Sequence, residues 1–183
     1  MAILVHPNQT TKPMSLSHDI KQREFRSEYQ KAILNILYTH NYVVGHMSEA
    51  LKDYDITRQQ YNVLRILRGQ YPRHSSINLI KDRMLDKMSD TSRIVERLRI
   101  KGLISREECS SDKRSVEIKI TDKGLALLQT MERPMIDVEK LLHTLTHREA
   151  MQLNQLLDKL RGSEPENFEE DVALELLNQP EKF

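Results

Sequence analysis

The sequence has few of the residues on which covalent cross-links and many enzyme sites depend. Its 183 residues include one Cys, five Gly and no Trp. A single Cys cannot form a disulfide within the chain, so we expect a reducing, cytoplasmic compartment. The apolar run in the opening MAILVHPNQTTK is too short for a signal-peptide core or a membrane span, and no membrane partner is expected.

Motifs of common enzymes are also absent. The chain contains no GxGxxG, GxxxxGK[ST], GxSxG, HExxH or CxxC pattern, which removes the usual phosphate-binding, hydrolase and metalloprotease signatures. His143 and His147 lie on either side of a predicted helix start at Thr146, so we expect them on different faces. Adjacent acidic pairs such as Glu107 and Glu108 do not suit a shielded acid–base site. The sequence predicts no enzyme, no metal and no cofactor.

Charges of opposite sign are nearly balanced overall but separated along the chain. Lys and Arg total 28 against 27 Asp and Glu. Residues 58–119 carry 15 basic and 8 acidic side chains, whereas residues 162–183 carry seven acidic side chains and one basic. A basic segment suits phosphate neutralisation by a DNA-binding surface, but an Arg-rich solvated surface has the same composition. Charge alone leaves both interpretations open.

Apolar spacing predicts a long first helix after a flexible arm. Residues 1–16 show no periodicity and contain Pro7 and Pro13. Over residues 17–53 apolar side chains recur every three or four positions, which predicts one stripe on a helix roughly 50 Å long, with Gly45 as a candidate bend. Because a domain of this size cannot cover such a stripe, we expect part of it to pack against a second subunit.

Three helices and a hairpin are predicted in residues 54–121. Thr57 and Gln60 form a capping box for the first helix, and Ser75 or Ser76 caps a short second helix. A third runs from about Ser89 to Lys101 and is closed by Gly102. The hydrophobic period then changes from 3.6 to 2, which predicts two strands, at 103–106 and 116–120.

This order of elements, in which two short helices lead directly into a hairpin with a basic tip, is that of a winged helix-turn-helix. The stretch SDTSRIVERLRIKGLISRE, followed by SDKRSVEIKITDKG, resembles the MarR-type bacterial transcription regulators. In that family a recognition helix leads into a wing with a D-x-R motif, and here the motif is Asp112, Lys113 and Arg114. The resemblance covers about residues 20–161 in element order and is strongest over 77–124.

The predicted recognition helix has one apolar face and one polar face. Apolar residues at 94, 95 and 98 are expected to face the core. The residues expected to point outward are Asp90, Thr91, Arg93 and Arg97. Arg93 and Arg97 are spaced by one helical turn and can each fork to a guanine in the major groove. Hydroxyl groups near the helix start are candidate phosphate donors. The remaining predicted contacts on or near this helix are Ser89, Asp90, Thr91 and Ser92, with Arg73 and Lys81 as weaker phosphate candidates.

The resemblance assigns roles in the wing. It implies that Arg114 enters the minor groove, that Asp112 orients this arginine, and that Lys113 is placed for phosphate. Cys109 is expected to be an inert thiol, because the neighbouring Glu107 and Glu108 oppose thiolate formation.

After the wing, two further helices are predicted before an acidic tail. Thr121 with Asp122 begins a helix that we expect to kink at Pro134. Thr146 and Glu149 form a second capping box, and the helix that they open is expected to end at Gly162.

We therefore predict a mainly α winged helix-turn-helix protein with a two-stranded β-hairpin wing and a helical dimerisation lobe. The predicted parts are an arm (1–16), the long helix of the dimerisation lobe (17–53), the DNA-binding region (54–121), the C-terminal helices of that lobe (122–161) and the acidic tail (162–183).

For function, the resemblance implies a homodimeric transcription regulator that binds a pseudo-palindromic operator in double-stranded DNA. It further implies repression by promoter occlusion and release by a small-molecule effector in a pocket between the two lobes. The alternative is a winged-helix adaptor that binds protein partners, with the acidic tail as its interaction segment and without sequence-specific DNA binding. A third possibility, an enzyme that modifies small molecules, is not supported, because the sequence shows no nucleophile paired with a general base.

Overall fold

The computed structural model describes residues 15–108 and 116–162, and it divides the chain into two compact units, residues 1–138 and 139–183. None of the helices in these described segments is both long and apolar enough to cross a membrane. The elements are α1 (Leu16–Asp19), α2 (Glu28–Leu51), α3 (Arg58–Gln70), α4 (Ile77–Arg83), α5 (Thr91–Ile100), β1 (Ile104–Glu108), β2 (Val116–Ile120), α6 (Asp122–Thr130), α7 (Glu132–Glu139) and α8 (His147–Leu160), with short 3-10 turns at Lys52–Tyr54 and Lys140–Leu142.

The prediction of one continuous helix over residues 17–53 is wrong. A short α1 ends at Asp19, Lys21 takes a left-handed conformation with φ of 54°, and α2 starts at Glu28. The cause is a local cap, because the Ser27 hydroxyl accepts from the Gln30 amide and the Gln30 side chain accepts from the Arg26 amide. Gly45 does not interrupt α2, which is about 36 Å long at 1.5 Å per residue.

Helices α3, α4 and α5 enclose the core of the first unit. α3 begins with the predicted capping box, in which the Gln60 amide donates to Thr57 Oγ1 at 3.2 Å and the Thr57 amide donates to Gln60 Oε1 at 3.0 Å. Its buried side chains form a single cluster with side chains from α4, α5, both strands and α6. The most deeply buried members of this cluster include Val63, Leu64, Leu67, Ile80, Val95, Leu98, Ile118 and Leu128.

The two strands form the antiparallel hairpin that the sequence predicts. Ile104 pairs with Ile120 and Arg106 with Ile118, and the last described pair is Glu108 with Val116. The first strand runs over 104–108, one residue later at its start than expected. Ser75 adds a bridge on the other side of Ile118, through backbone hydrogen bonds of 2.8 and 2.9 Å. The residue before the α4 cap is therefore bonded to the base of the wing.

Helix α6 ends rather than kinks. The prediction of one helix bent at Pro134 is wrong, because α6 stops at Thr130 and α7 begins at Glu132. Pro134 then lies in the first turn of α7, where its missing amide leaves no intrahelical bond unmade. In the second unit, α8 has the predicted Thr146–Glu149 capping box, and Gly162 follows it with φ of 82°.

Gly124 is the position where a side chain is least tolerated. A Cβ there meets the Leu103 carbonyl oxygen and lies 2.7 Å from Ile120 Cγ1. We expect Gly124→Ala to lower the free energy of unfolding by about 1–3 kcal/mol and Tm by roughly 2–12 °C. Gly69→Ala is the matched control, since nothing lies within 4 Å of its Cβ and alanine favours the helix. Equal Tm values for Gly124→Ala and the parent would contradict this close approach.

Candidate nucleic-acid interface

Asp90 fixes the start of the predicted recognition helix. Its carboxylate accepts from the Arg93 amide at 3.1 Å, and α5 begins at Thr91. The expected start at Ser89 is therefore two residues early. Ser89 lies in the turn before the helix, where its hydroxyl donates to Asp86 Oδ2 at 2.8 Å. In this conformation the Ser89 proton is used within the protein and is not offered to phosphate.

The inner face of α5 includes one residue that we expected outside. Thr91 is 5% exposed, so the expectation that its side chain points outward is wrong. It shares the apolar stripe with Val95 and Leu98, four and seven positions later. Its hydroxyl has no hydrogen-bond partner among the described residues. A contact from Thr91 to phosphate is left to its backbone amide, in the first turn of the helix.

Two arginines on the outer face of α5 form no ion pair with the described part of the chain, whereas a third is held in one. Arg99 makes two hydrogen bonds to Glu96, from Nη2 at 2.8 Å and from Nε at 3.0 Å. These bonds lower the pKa of the Glu96 carboxyl and raise the pKa of Arg99. Arg93 and Arg97 are exposed, and neither forms an ion pair within residues 15–108 and 116–162. Among the three arginines of α5, these two can therefore engage an outside acceptor without first breaking a bond to another described residue.

Other predicted contacts surround this helix. Ser92 is exposed beside Arg93, Lys81 is exposed on α4, and Arg73 is exposed in the turn that precedes the Ser75 bridge. Asp112, Lys113 and Arg114 lie outside the described residues, as does Cys109. The strands that carry the wing tip are described, and Arg106 on β1 lies 3.8 Å from Glu96 of the recognition helix.

Sequence reasoning missed a basic groove at the other end of α5. An open groove of about 480 Å³ is lined by three basic residues, Arg97, Lys101 and Lys52, and by Asp55 and Ile100. Lys101 is bonded to both the carboxylate and the carbonyl of Asp55. The sequence carries no motif for this groove, because its residues come from two separate segments of the chain, 52–60 and 97–101.

A second, larger cavity lies between α2 and α3. Its volume is about 930 Å³, and its walls come from α2, α3 and the residues just after α4. The wall includes apolar side chains of α2, the ring of Tyr61 and the basic side chains of Arg58 and Arg65. The lining residues are His40, Val43, Val44, Met47, Arg58, Gln59, Tyr61, Asn62, Arg65, Met84, Leu85 and Asp86. No group of three or more metal-binding side chains occurs in the described part of the chain.

Comparison with known proteins agrees with this architecture. Residues 56–116 match the sequence model of the MarR family. A MarR transcription factor from Planctomyces limnophilus is 29% identical, covers 76% of this chain and 100% of its own length, and has a TM-score of 0.58. A mutant MarR from E. coli, solved in complex with operator DNA, is 25% identical, covers 75% of this chain and 99% of its own, and has a TM-score of 0.66.

A third structure shows the same fold at lower identity. Bordetella bronchiseptica BpsR, whose DNA binding is regulated by 6-hydroxynicotinic acid, is 21% identical over 72% of this chain and 98% of its own, with a TM-score of 0.62. The helix order, the hairpin and the exposed arginines of α5 define a winged helix-turn-helix protein. Over residues 56–116 of its sequence and in its fold, the chain is similar to the MarR-type transcription regulators, in agreement with the resemblance noted in its sequence.

Proposed function

We propose that the protein is a homodimeric repressor that binds a pseudo-palindromic operator and is released from it by a small molecule. The observation that carries the proposal is a pair of exposed arginines, Arg93 and Arg97, that lie one turn apart on a capped helix and form no ion pair with any other described residue. Their guanidinium groups match the O6 and N7 acceptors of guanine in the major groove. The E. coli relative, solved with operator DNA, supports this use of the fold.

The proposed contacts divide between bases and phosphates. Arg93 and Arg97 read base edges. The N-terminal turn of α5 faces phosphate, through backbone amides and the exposed Ser92 hydroxyl. In the wing, Arg114 enters the minor groove and Lys113 binds phosphate, while Asp112 orients the arginine. The remaining proposed positions are Ser89 and Asp90, which shape the helix start, Thr91 through its amide, and Arg73 and Lys81 as flanking phosphate contacts.

An exposed apolar face on α2 supports dimerisation. Tyr29 is 85% exposed and Ile33, Ile36 and Leu37 are 59%, 40% and 56% exposed. These four positions fall on one face of the helix, at the 3.6-residue period. We propose that a second copy covers this face and that the first helix belongs to the dimerisation lobe. Helix α8, described by itself, also exposes Leu153, Leu156 and Leu160, and the proposed lobe includes residues 122–161.

The two-fold axis of such a dimer sets the form of the operator. Each subunit presents one α5 to one half-site, so the half-sites are inverted and about one helical turn, roughly 34 Å, apart. Repression follows when the occupied site overlaps a promoter. The effector is proposed to bind the 930 Å³ cavity, whose volume suits a small organic molecule with an apolar body. Residues 54–121 are the proposed DNA-binding region.

Arg114→Ala tests the proposed role of the wing. We expect operator affinity to fall by roughly five- to 150-fold, because one minor-groove arginine is worth about 1–3 kcal/mol. Fluorescence anisotropy with labelled operator, at several salt concentrations, measures the loss. Lys159→Ala on α8 also removes one positive charge, but outside the proposed DNA-contact surface. This variant is expected to bind the operator like the parent. Equal affinities for Arg114→Ala and Lys159→Ala would contradict the wing contact.

A further inference from the structure

We propose that Asn62 and Asp86 couple the 930 Å³ cavity to the recognition helix, so that occupation of the cavity weakens DNA binding by releasing the turn that leads into α5. This inference rests on the proposed function, because its readout is DNA affinity. It adds two named residues and a physical route between the cavity and the helix, neither of which is implied by the presence of a cavity alone.

The turn between α4 and α5, residues 84–90, is held by two side chains of the cavity wall. Asn62 on α3 accepts from the Leu85 amide through Oδ1 at 3.0 Å. Asp86 accepts from the Met88 amide at 3.1 Å and from the Ser89 hydroxyl at 2.8 Å. Both Asn62 and Asp86 line the cavity. The conformation of the turn therefore depends on groups that a molecule in the cavity touches.

Asp86 is suited to this role because its carboxylate interacts with the positive charge of Arg58, one of the two arginines that line the cavity. Hydrogen bonds from Ser89 and from the Met88 amide hold the pKa of its carboxyl below the usual range, helped by Gln59 and the positive charge of Arg58. Arg58 and Gln59 line the same cavity. A molecule that binds Arg58 or Gln59 removes their interaction with the Asp86 carboxylate. A molecule that inserts beside Asn62 breaks the hydrogen bond between Asn62 and the Leu85 amide.

The distance from this turn to the DNA-reading residues is short. Ser89 directly precedes Asp90, whose carboxylate caps α5 through the Arg93 amide. When Asp86 no longer holds Ser89, the cap and the first turn of α5 lose their fixed position. Two arrangements of the turn, held and released, then differ in DNA affinity, and occupation of the cavity favours the released one.

A covalent probe tests the route without a known effector. Val44 lies in the cavity wall, and the thiolate of Val44→Cys in a Cys109→Ser background takes a benzylthio group from benzyl methanethiosulfonate, forming a disulfide and releasing methanesulfinate. Methyl methanethiosulfonate at the same position controls for the chemistry, and benzyl-labelled Arg133→Cys, on the exposed surface of α7, controls for the label. Operator Kd is measured before and after labelling, with circular dichroism to verify folding.

The same labels are then applied with the turn already released. Asn62→Ala and Asp86→Ala each remove one tether, and Asp82→Ala is the matched control because this exposed aspartate of α4 is not part of the cavity wall. In the Val44→Cys parent we expect the benzyl label to weaken operator binding by about five- to 150-fold. In Asn62→Ala and Asp86→Ala we expect the same label to change operator affinity by less than threefold. In Asp82→Ala we expect the label to weaken operator binding as much as it does in the Val44→Cys parent.

Two results would overturn the proposal. A benzyl label that leaves operator affinity unchanged in the parent shows that the cavity does not communicate with α5. An equal loss with and without the tethers shows that communication runs through other residues. Failure of the unlabelled parent to bind any selected DNA is a different result, because it removes the proposed function itself.

Discussion

Placing two glutamates on the apolar face of α2 is expected to separate the dimer and to weaken operator binding strongly. Ile33→Glu with Leu37→Glu puts carboxylates at positions that are 59% and 56% exposed in the single chain and buried in the proposed dimer. Burial of unpaired charge is costly enough to prevent association. In the monomer, binding to one half-site no longer brings a second subunit to the other half-site. Operator affinity should therefore fall by about 100- to 10,000-fold.

Sedimentation and anisotropy measure the two parts of this prediction. We expect the parent to sediment as a dimer at micromolar concentration and the double variant as a monomer. Asn35→Glu with Thr39→Glu is the matched control, since these exposed polar positions lie about 200° around the helix from Ile33 and Leu37. A double variant that stays dimeric would contradict the α2 interface, and a monomer with full affinity would contradict the need for two half-sites.

Removal of Arg93 and Arg97 together is expected to weaken operator binding strongly. Arg93→Ala with Arg97→Ala should lower operator affinity by at least roughly 30-fold, because each specific base contact is worth about 1–3 kcal/mol. The loss should be smaller on a scrambled duplex, where phosphate contacts supply most of the affinity. The ratio of the two affinities, measured by anisotropy on both duplexes, therefore falls. Arg93→Ala alone should relax base preference at one position of each half-site.

Arg99→Ala is the control for this pair. Arg99 is on the same helix, but both of its bonds go to Glu96. We expect its loss to change operator affinity by less than about threefold, the scale of an exposed ion pair. If Arg99→Ala weakens binding as much as the double variant, Arg93 and Arg97 have no special role and the assignment of the reading face is wrong.

The sequence predicted those helices and strands whose ends are determined by residues close to them in the chain. Capping boxes at Thr57 and Thr146 and the glycines after α5 and α8 all marked real helix ends. The change of period after Gly102 marked the hairpin, because strand and helix patterns differ in sequence alone. The same pattern identified Val95 and Leu98 as the inner face of α5 and Arg93 and Arg97 as the outer face.

Errors arose where two local signals compete or where distant segments meet. The apolar stripe continued past Ser27, so the cap that begins α2 was overlooked, although Ser27 and Gln30 have capping-box spacing. Thr91 was placed outside by its polarity, whereas its spacing to Val95 and Leu98 puts it inside. Ser89 was assigned to DNA, yet its hydroxyl is bonded to Asp86. Neither the cavity nor the basic groove has a sequence motif, because each is assembled from separate segments.

In the proposed regulator, a two-fold dimer reads DNA through two copies of α5. The most direct test of this proposal is a selection of bound sequences from random duplex DNA with the purified protein, followed by Kd measurements over a range of salt concentrations. We predict an enriched inverted repeat with half-sites about one helical turn apart and a steep salt dependence. Absence of any enriched sequence at every salt concentration would contradict the proposal and favour a winged-helix adaptor that binds protein partners.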